Sequence, residues 1–179
     1  TIAMLEKAQI DDVPIYKHKS PLQRSIQLLK RHRDQMYKDN GDSKPISIII
    51  TTLAARAYNG EPNVESALTN ILSKMGDLVN DIKPRVPNPA DPGEDFADRW
   101  AMSQYNHLQL EKNFFYWLKA AKSYFENILT TTDTAYITEQ VNETLSVRLN
   151  ESSLRKDLGL AGAATVIHKP KTQEIHESS

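Results

Sequence analysis

Residues 20–34, whose sequence is SPLQRSIQLLKRHRD, decide the fold because they contain both a helix start and a helix face. Ser20 offers a capping hydroxyl, and Pro21 suits the first helical position, where no amide hydrogen is needed. Four apolar side chains and one arginine then recur at spacings of three and four residues, at Leu22, Ile26, Leu29, Arg33 and Met36. This spacing predicts a helix with one buried face, which ends at the turn-forming residues 39–42.

The segment after this turn predicts two more helices. Residues 45–58 end in the helix-forming run Leu-Ala-Ala-Arg-Ala-Tyr, and a proline at the start suits a first turn. Taken alone, the β-branched run 48–52 would suit a strand, but the continuation favours a buried helix. A third helix is predicted over residues 63–82, where apolar side chains recur along one face.

The second half of the sequence predicts a loop followed by an aromatic-rich helix. Residues 83–95 hold four of the nine prolines, which is typical of an extended loop. A stretch with helical spacing, which contains most of the large aromatic side chains, begins near Glu94 and ends at residues 130–133. A last amphipathic helix is predicted over residues 134–149. The expected fold class is therefore all-α, a bundle of about five helices.

Composition and length indicate one globular domain with a core of ordinary size. The 179 residues are 39% hydrophobic and 25% charged, and the net charge of −1 gives no general attraction to nucleic acid or anionic lipid. There is no cysteine, and no apolar run approaches the roughly 20 residues that span a bilayer. We therefore expect a cytoplasmic protein with no membrane partner, for which nucleic acid is an improbable ligand.

Three parts are expected along the chain. Residues 20–149 form the helical domain, residues 1–19 form an arm that leads into it from a preceding domain, and residues 150–179 form a polar, flexible tail.

Motifs for several kinds of chemistry are missing from the sequence. It contains no Gly-rich phosphate loop, no Gly-x-Ser-x-Gly elbow and no Asp-x-Asp pair for two-metal chemistry. The five histidines lack metal-ligand spacing, and the acids near residues 11–12 and 91–95 suit solvation or helix capping. We therefore predict no catalytic residue, no metal ligand and no cofactor in this chain.

One basic segment does suggest a ligand. Residues 30–33 place Lys, Arg, His and Arg in a row on a helix whose other face is apolar. A solvated charged face is one interpretation, with His32 structural or solvent-facing; an anion clamp is the other. In the clamp, Lys30 would contact a phosphate oxygen, and Ser47 at the start of the next helix would add its hydroxyl and free backbone amides.

At these residues the sequence resembles a known family, the cGAS/DncV-like nucleotidyltransferases, in their C-terminal helical domain. The resemblance rests on residues 20–34 and 44–55, with support from 88–100 and 113–118, and extends over about residues 13–130. It implies a helical fold like the substrate-binding domains of poly(A) polymerase and oligoadenylate synthase. It also implies that Lys30 and Ser47 contact the triphosphate of a donor NTP.

The same resemblance implies a longer parent enzyme. In the family a nucleotidyltransferase core precedes the helical domain, carries a Gly-Ser motif and metal-binding acids, and with Mg²⁺ joins NTPs into cyclic products for antiphage signalling. Those motifs are absent here, so this chain alone is expected to be inactive and to leave a core-facing apolar surface open to self-association. The main alternative is a non-catalytic helical protein-interaction module; an RNA-binding helical domain is a second, which the near-neutral charge disfavours.

Overall fold

The computed structural model describes residues 19–131, which form four α-helices joined by turns and one long loop. Helix α1 spans Pro21–Met36, α2 spans Ser47–Ala57, α3 spans Val64–Lys74 and α4 spans Leu110–Thr130. Short 3₁₀ segments occupy Gly41–Ser43, Asp98–Ala101 and Ser103–Leu108. Within these residues the only extended pairing is an isolated bridge between Pro87 and Asp95, so the predicted all-α class is confirmed.

The start of α1 follows the sequence prediction closely. The Gln23 amide donates to the Ser20 hydroxyl at 3.2 Å, and the Ser20 amide donates to the Gln23 side-chain oxygen at 2.9 Å. This reciprocal pair satisfies two amides that have no partner inside the helix. On the predicted face Leu29 and Arg33 are buried, and the other predicted members are partly buried against the core: Leu22, Ile26 and Met36.

Helices α1 and α3 form the centre of the bundle, because each packs against all three other helices. The largest fully buried side chains come from every helix and from the long loop, and include Leu29, Ile50, Leu68, Trp117 and Val86. Burying an aliphatic side chain of this size contributes about 1.5–3 kcal/mol. The core is thus shared by all parts of the described chain.

Two predicted helix boundaries are wrong, and one prediction lies outside the described residues. The third helix ends at Lys74 and not at Ile82; residues 75–79 continue as turns whose apolar side chains still face the core. No α-helix begins near Glu94, since residues 98–108 form 3₁₀ turns and α4 begins at Leu110. The predicted helix over 134–149 lies outside the described residues. The segment 48–52, which taken alone would suit a strand, is part of α2, as predicted.

The proline-rich loop is ordered around one carboxylate. Asp95 accepts hydrogen bonds from the amides of Arg85, Val86 and Ala97 at 2.8–2.9 Å. Burial would raise the pKa of this carboxyl, but the three amides outweigh that effect and hold the pKa below its usual value. The Arg85 guanidinium in turn contacts Glu111 at the start of α4. Asp95 therefore joins the two ends of the loop to each other, and Arg85 joins them to α4.

None of the helices in residues 19–131 is both long and apolar enough to cross a bilayer.

Candidate functional site

The N-terminus of α2 is an open helix end. Ser47 is the first helical residue and is exposed, and Ile46 before it provides no capping side chain. Ile46 and Ile48 on either side are also exposed, at 41% and 44%. The first amides of a helix have no intrahelical acceptor, and the helix dipole makes this end attractive to anions. The predicted position of Ser47 at a helix start is confirmed.

Arg33 of α1 connects the two helices at this point. Its Nη1 donates to Ser47 Oγ at 2.9 Å and to the Pro45 carbonyl at 3.0 Å. The Arg33 residue is only 4% exposed, and its bond to the Pro45 carbonyl is buried, whereas its bond to the exposed Ser47 is only partly buried. The second half of α1 is therefore fixed against the start of α2.

Asp34 completes the contacts of the Arg33 guanidinium. Arg33 Nε and Nη2 donate to Asp34 Oδ1 at 3.0 and 2.8 Å, and Lys44 Nζ lies 3.3 Å from the same oxygen. Burial raises the pKa of Asp34, but the hydrogen bonds and charges of Arg33 and Lys44 outweigh this, so the pKa lies below its usual value. Asp34 is thus ionised near neutral pH and fixes the plane of the guanidinium.

Lys30 lies on α1 one turn before Arg33 and is half-buried. Residues three apart on a helix share a face, so Lys30 lies on the side of α1 from which Arg33 meets Ser47. Over residues 19–131 its ammonium has neither a hydrogen-bond partner nor an ion-pair partner. The contact that joins α1 to Ser47 is made by Arg33; the predicted proximity of Lys30 Nζ to Ser47 Oγ stays a prediction.

The other members of the basic segment have separate environments. Arg31 is exposed, as a solvated charged face would require. His32 is 5% exposed and packs against the rings of Tyr124 and Phe125 on α4, with centroid distances of 5.1 and 5.9 Å. Burial lowers its pKa from 6.5 to about 4, so the imidazole is neutral at pH 7. His32 is therefore a structural residue, in agreement with the first of its two predicted roles.

An apolar cleft lies beside Ser47, between the start of α2 and the 3₁₀ turns. Ile46 and Ile49 form one wall, and the rings of Trp100 and Tyr105 are among those that form the other. Its volume is about 70 Å³, enough for part of a flat ring and too small for a whole nucleotide. Charged side chains also line it: Asp42, Lys44 and Arg99. The sequence analysis did not find this cleft, because its walls come from segments about 50 residues apart.

The described residues do not fit the Mg²⁺ that the family resemblance implies for a full-length enzyme. Over residues 19–131 there is no group of three or more His, Asp or Glu side chains placed to hold a metal ion. The candidate site therefore consists of an open helix N-terminus, the Ser47 hydroxyl and the Lys30 ammonium, which together suit an anionic ligand, with the buried Arg33 bonded to the hydroxyl.

Comparison with known proteins gives one informative match. A c-di-GMP synthase from Roseivirga ehrenbergii is 37% identical to this chain over 98 residues. The match covers 52% of this chain and 25% of the synthase, so the chain spans about a quarter of that relative's length. No family model matches the chain. The sequence is thus related to that of a cyclic-dinucleotide synthase.

Proposed function

We propose that this chain is the C-terminal helical part of a cyclic-dinucleotide synthase and that the start of α2 helps to bind the triphosphate of a donor NTP. The observation that supports this most directly is the exposed Ser47 at an uncapped helix N-terminus, fixed by Arg33 to the basic segment of α1. The relationship to a c-di-GMP synthase supports a nucleotide as the ligand of such an anion site.

The proposed binding uses three kinds of contact. The free amides of the first turn of α2 donate to phosphate oxygens, and the helix dipole favours the negative charge. The Ser47 hydroxyl adds a directed hydrogen bond. Lys30 supplies a mobile positive charge at the edge of the buried face of α1, where its stem packs and its ammonium reaches solvent. These groups neutralise and position the nucleotide; they do not make or break its bonds.

We propose GTP as the nucleotide, since the matched relative is named for a product built from guanine nucleotides. The cleft between Ile46 and Trp100 would take the edge of the base, while the sugar and the phosphates stay outside it, toward Ser47. Its aromatic and aliphatic walls suit a flat ring.

The remaining parts of the reaction belong to a catalytic core on the same parent protein. Such a core would hold Mg²⁺, which would supply charge neutralisation at the transferring phosphate. In this proposal the parent is a cytoplasmic enzyme of antiphage signalling.

The test uses the full-length synthase that carries this chain. Lys30→Ala and Ser47→Ala should each raise the KM for GTP by about tenfold or more, because a charge-assisted hydrogen bond contributes about 1.5–3 kcal/mol. Lys119→Ala removes an exposed lysine from α4 and should leave KM unchanged. Cyclic product is measured by chromatography over a range of GTP concentrations. Unchanged KM in both site variants would overturn the proposal.

A protein-interaction module is the second candidate function, and one observation favours it. Phe115 and Tyr116 on α4 are 38% and 63% exposed, which is unusual for neighbouring aromatic side chains. If this alternative is correct, Phe115→Ser and Tyr116→Ser will weaken the binding of a partner protein, whereas Lys30→Ala and Ser47→Ala will leave this binding unchanged.

A further inference from the structure

A single buried arginine determines the hydrogen bonding of Ser47. We infer that Arg33 is a positioning residue for nucleotide binding, which holds the Ser47 hydroxyl so that its proton is directed at a phosphate oxygen. This inference rests on the proposed function, because it concerns how the same site is organised. The sequence pattern placed Arg33 both in the buried face of α1 and in the basic segment; the inference assigns it an indirect role, which acts through Ser47.

The first argument is that an arginine is costly at this position. The neighbouring members of the face are Leu29 and Met36, and a third apolar side chain would satisfy the same packing. A buried guanidinium must instead be compensated by several acceptors, and breaking such a set is strongly destabilising. Arg33 has three acceptors: the Pro45 carbonyl, Ser47 Oγ and Asp34 Oδ1. Pro45 and Ser47 lie at the start of α2 and Asp34 is the next residue on α1, so together they specify one geometry for the guanidinium.

The second argument concerns the proton of Ser47. Arginine donates and never accepts, so the bond from Arg33 Nη1 occupies an acceptor position of the Ser47 oxygen and leaves its O–H free to donate. Within residues 19–131 this hydroxyl donates to no partner. A serine inside a helix usually donates to the backbone carbonyl four residues earlier. For Ser47 that carbonyl belongs to Ser43, which precedes α2. The free donor therefore suits an acceptor from outside the protein.

The third argument is that Asp34 fixes the orientation of the donor. Asp34 accepts from Nε and Nη2, which leaves Nη1 for Ser47 and Pro45. Because the guanidinium is planar, fixing one edge fixes the direction of the other. Arg33 thus acts on the nucleotide through Ser47 and is not itself a phosphate ligand.

A double-mutant cycle in the full-length synthase tests this inference. Arg33→Lys keeps the charge but removes the planar fork, and it should raise the KM for GTP by about five- to tenfold with a smaller effect on kcat. In a Ser47→Ala background the same change should have no further effect on KM, because the hydroxyl that Arg33 orients is gone. Arg31→Lys, at an exposed neighbouring position, is the matched control.

Each outcome of the cycle has a defined meaning. An equal rise of KM with and without the Ser47→Ala change, or no rise at all, overturns the positioning role while the effect of Ser47→Ala alone still supports the proposed function. If Ser47→Ala has no effect on KM, the positioning role is overturned, and the proposed function is overturned with it if Lys30→Ala also leaves KM unchanged. If Arg33→Lys fails to fold by circular dichroism, Asp34→Asn replaces it. The Asp34 side chain is 52% exposed, and the smaller KM rise expected for this variant must also vanish in the Ser47→Ala background.

Discussion

His32 and Arg33 are adjacent on α1 and are buried for different physical reasons. The burial of the Arg33 guanidinium is compensated by three acceptors that surround it. His32 loses its charge because aromatic rings surround it, and within the described residues its Nδ1 has no hydrogen-bond partner. Neutral imidazole tolerates this environment, whereas imidazolium would not.

Acidification should therefore destabilise the domain through His32. The folded imidazole has a pKa of about 4 and the unfolded one a pKa of 6.5, so between these values the unfolded state binds more protons. Stability is fully present above about pH 6.5 and falls as the pH decreases toward 4, by at most about 1.4 kcal/mol per pH unit. Urea denaturation at several pH values between about 7.5 and 5 measures this slope.

Two variants make the assignment specific. His32→Phe keeps a ring against Tyr124 and should flatten the slope over this pH range. His107→Gln changes an exposed histidine and should retain the slope. A slope of wild-type size in His32→Phe would contradict the prediction. Three carboxyls have a lowered pKa and lose their stabilising effect only at lower pH, as they become protonated: Asp34, Glu61 and Asp95.

The sequence predicted part of the candidate site. Ser47 was placed correctly at a helix start because Pro45 and the run that follows it are local signals. The contact between Arg33 and Ser47 was missed, because it depends on the course of the ten residues between α1 and α2. A signal was nevertheless present: a buried arginine needs several acceptors, and the adjacent Asp34 cannot occupy all the donors of the guanidinium, which indicates further acceptors on another element.

At the scale of elements, helix starts were predicted better than helix ends. Capping at Ser20 is a local hydrogen-bond pattern that three residues specify. The end of α3 is not marked in the same way, because Met75 and Val79 remain buried after the helix has ended. Apolar spacing therefore continues through the turns. Residues 98–108 present the same difficulty, since 3₁₀ turns repeat every three residues and also satisfy a helical spacing.

The cap of α1 gives a prediction for that helix. Ser20→Ala removes the acceptor of the Gln23 amide and should lower the free energy of unfolding by about 1 kcal/mol. Ser103→Ala is the control, because Ser103 is exposed in a 3₁₀ turn and within residues 19–131 its hydroxyl makes no hydrogen bond. Urea denaturation of both variants measures the difference. Equal stability of the two variants would show that the cap does not stabilise α1.

For the whole molecule, the proposed function predicts where apolar surface is left open. Ile46 and Ile48 flank Ser47 and are each more than 40% exposed, at the end that would meet a catalytic core. In the isolated 179-residue chain we expect this surface to cause reversible self-association.

Ile48→Glu should reduce this association without loss of stability, because a carboxylate is favourable in the first turn of a helix. Ile82→Glu changes a more exposed apolar side chain, at 79%, outside this surface and should leave the association unchanged. Sedimentation velocity over a range of concentrations makes the measurement. A wild-type chain that stays monomeric at high concentration would contradict the expectation.

The contacts of the proline-rich loop affect how this part of the molecule unfolds locally. Residues 83–95 form no helix and no strand, yet the Asp95 carboxylate holds the amides of Arg85 and Val86, and the Arg85 guanidinium holds Glu111 of α4. Val86 is fully buried in the core. Releasing these amides to solvent therefore requires disturbing α4 as well. In a hydrogen-exchange measurement we therefore expect the amides of Arg85 and Val86 to exchange with the helices as one cooperative unit, with the protection of the core.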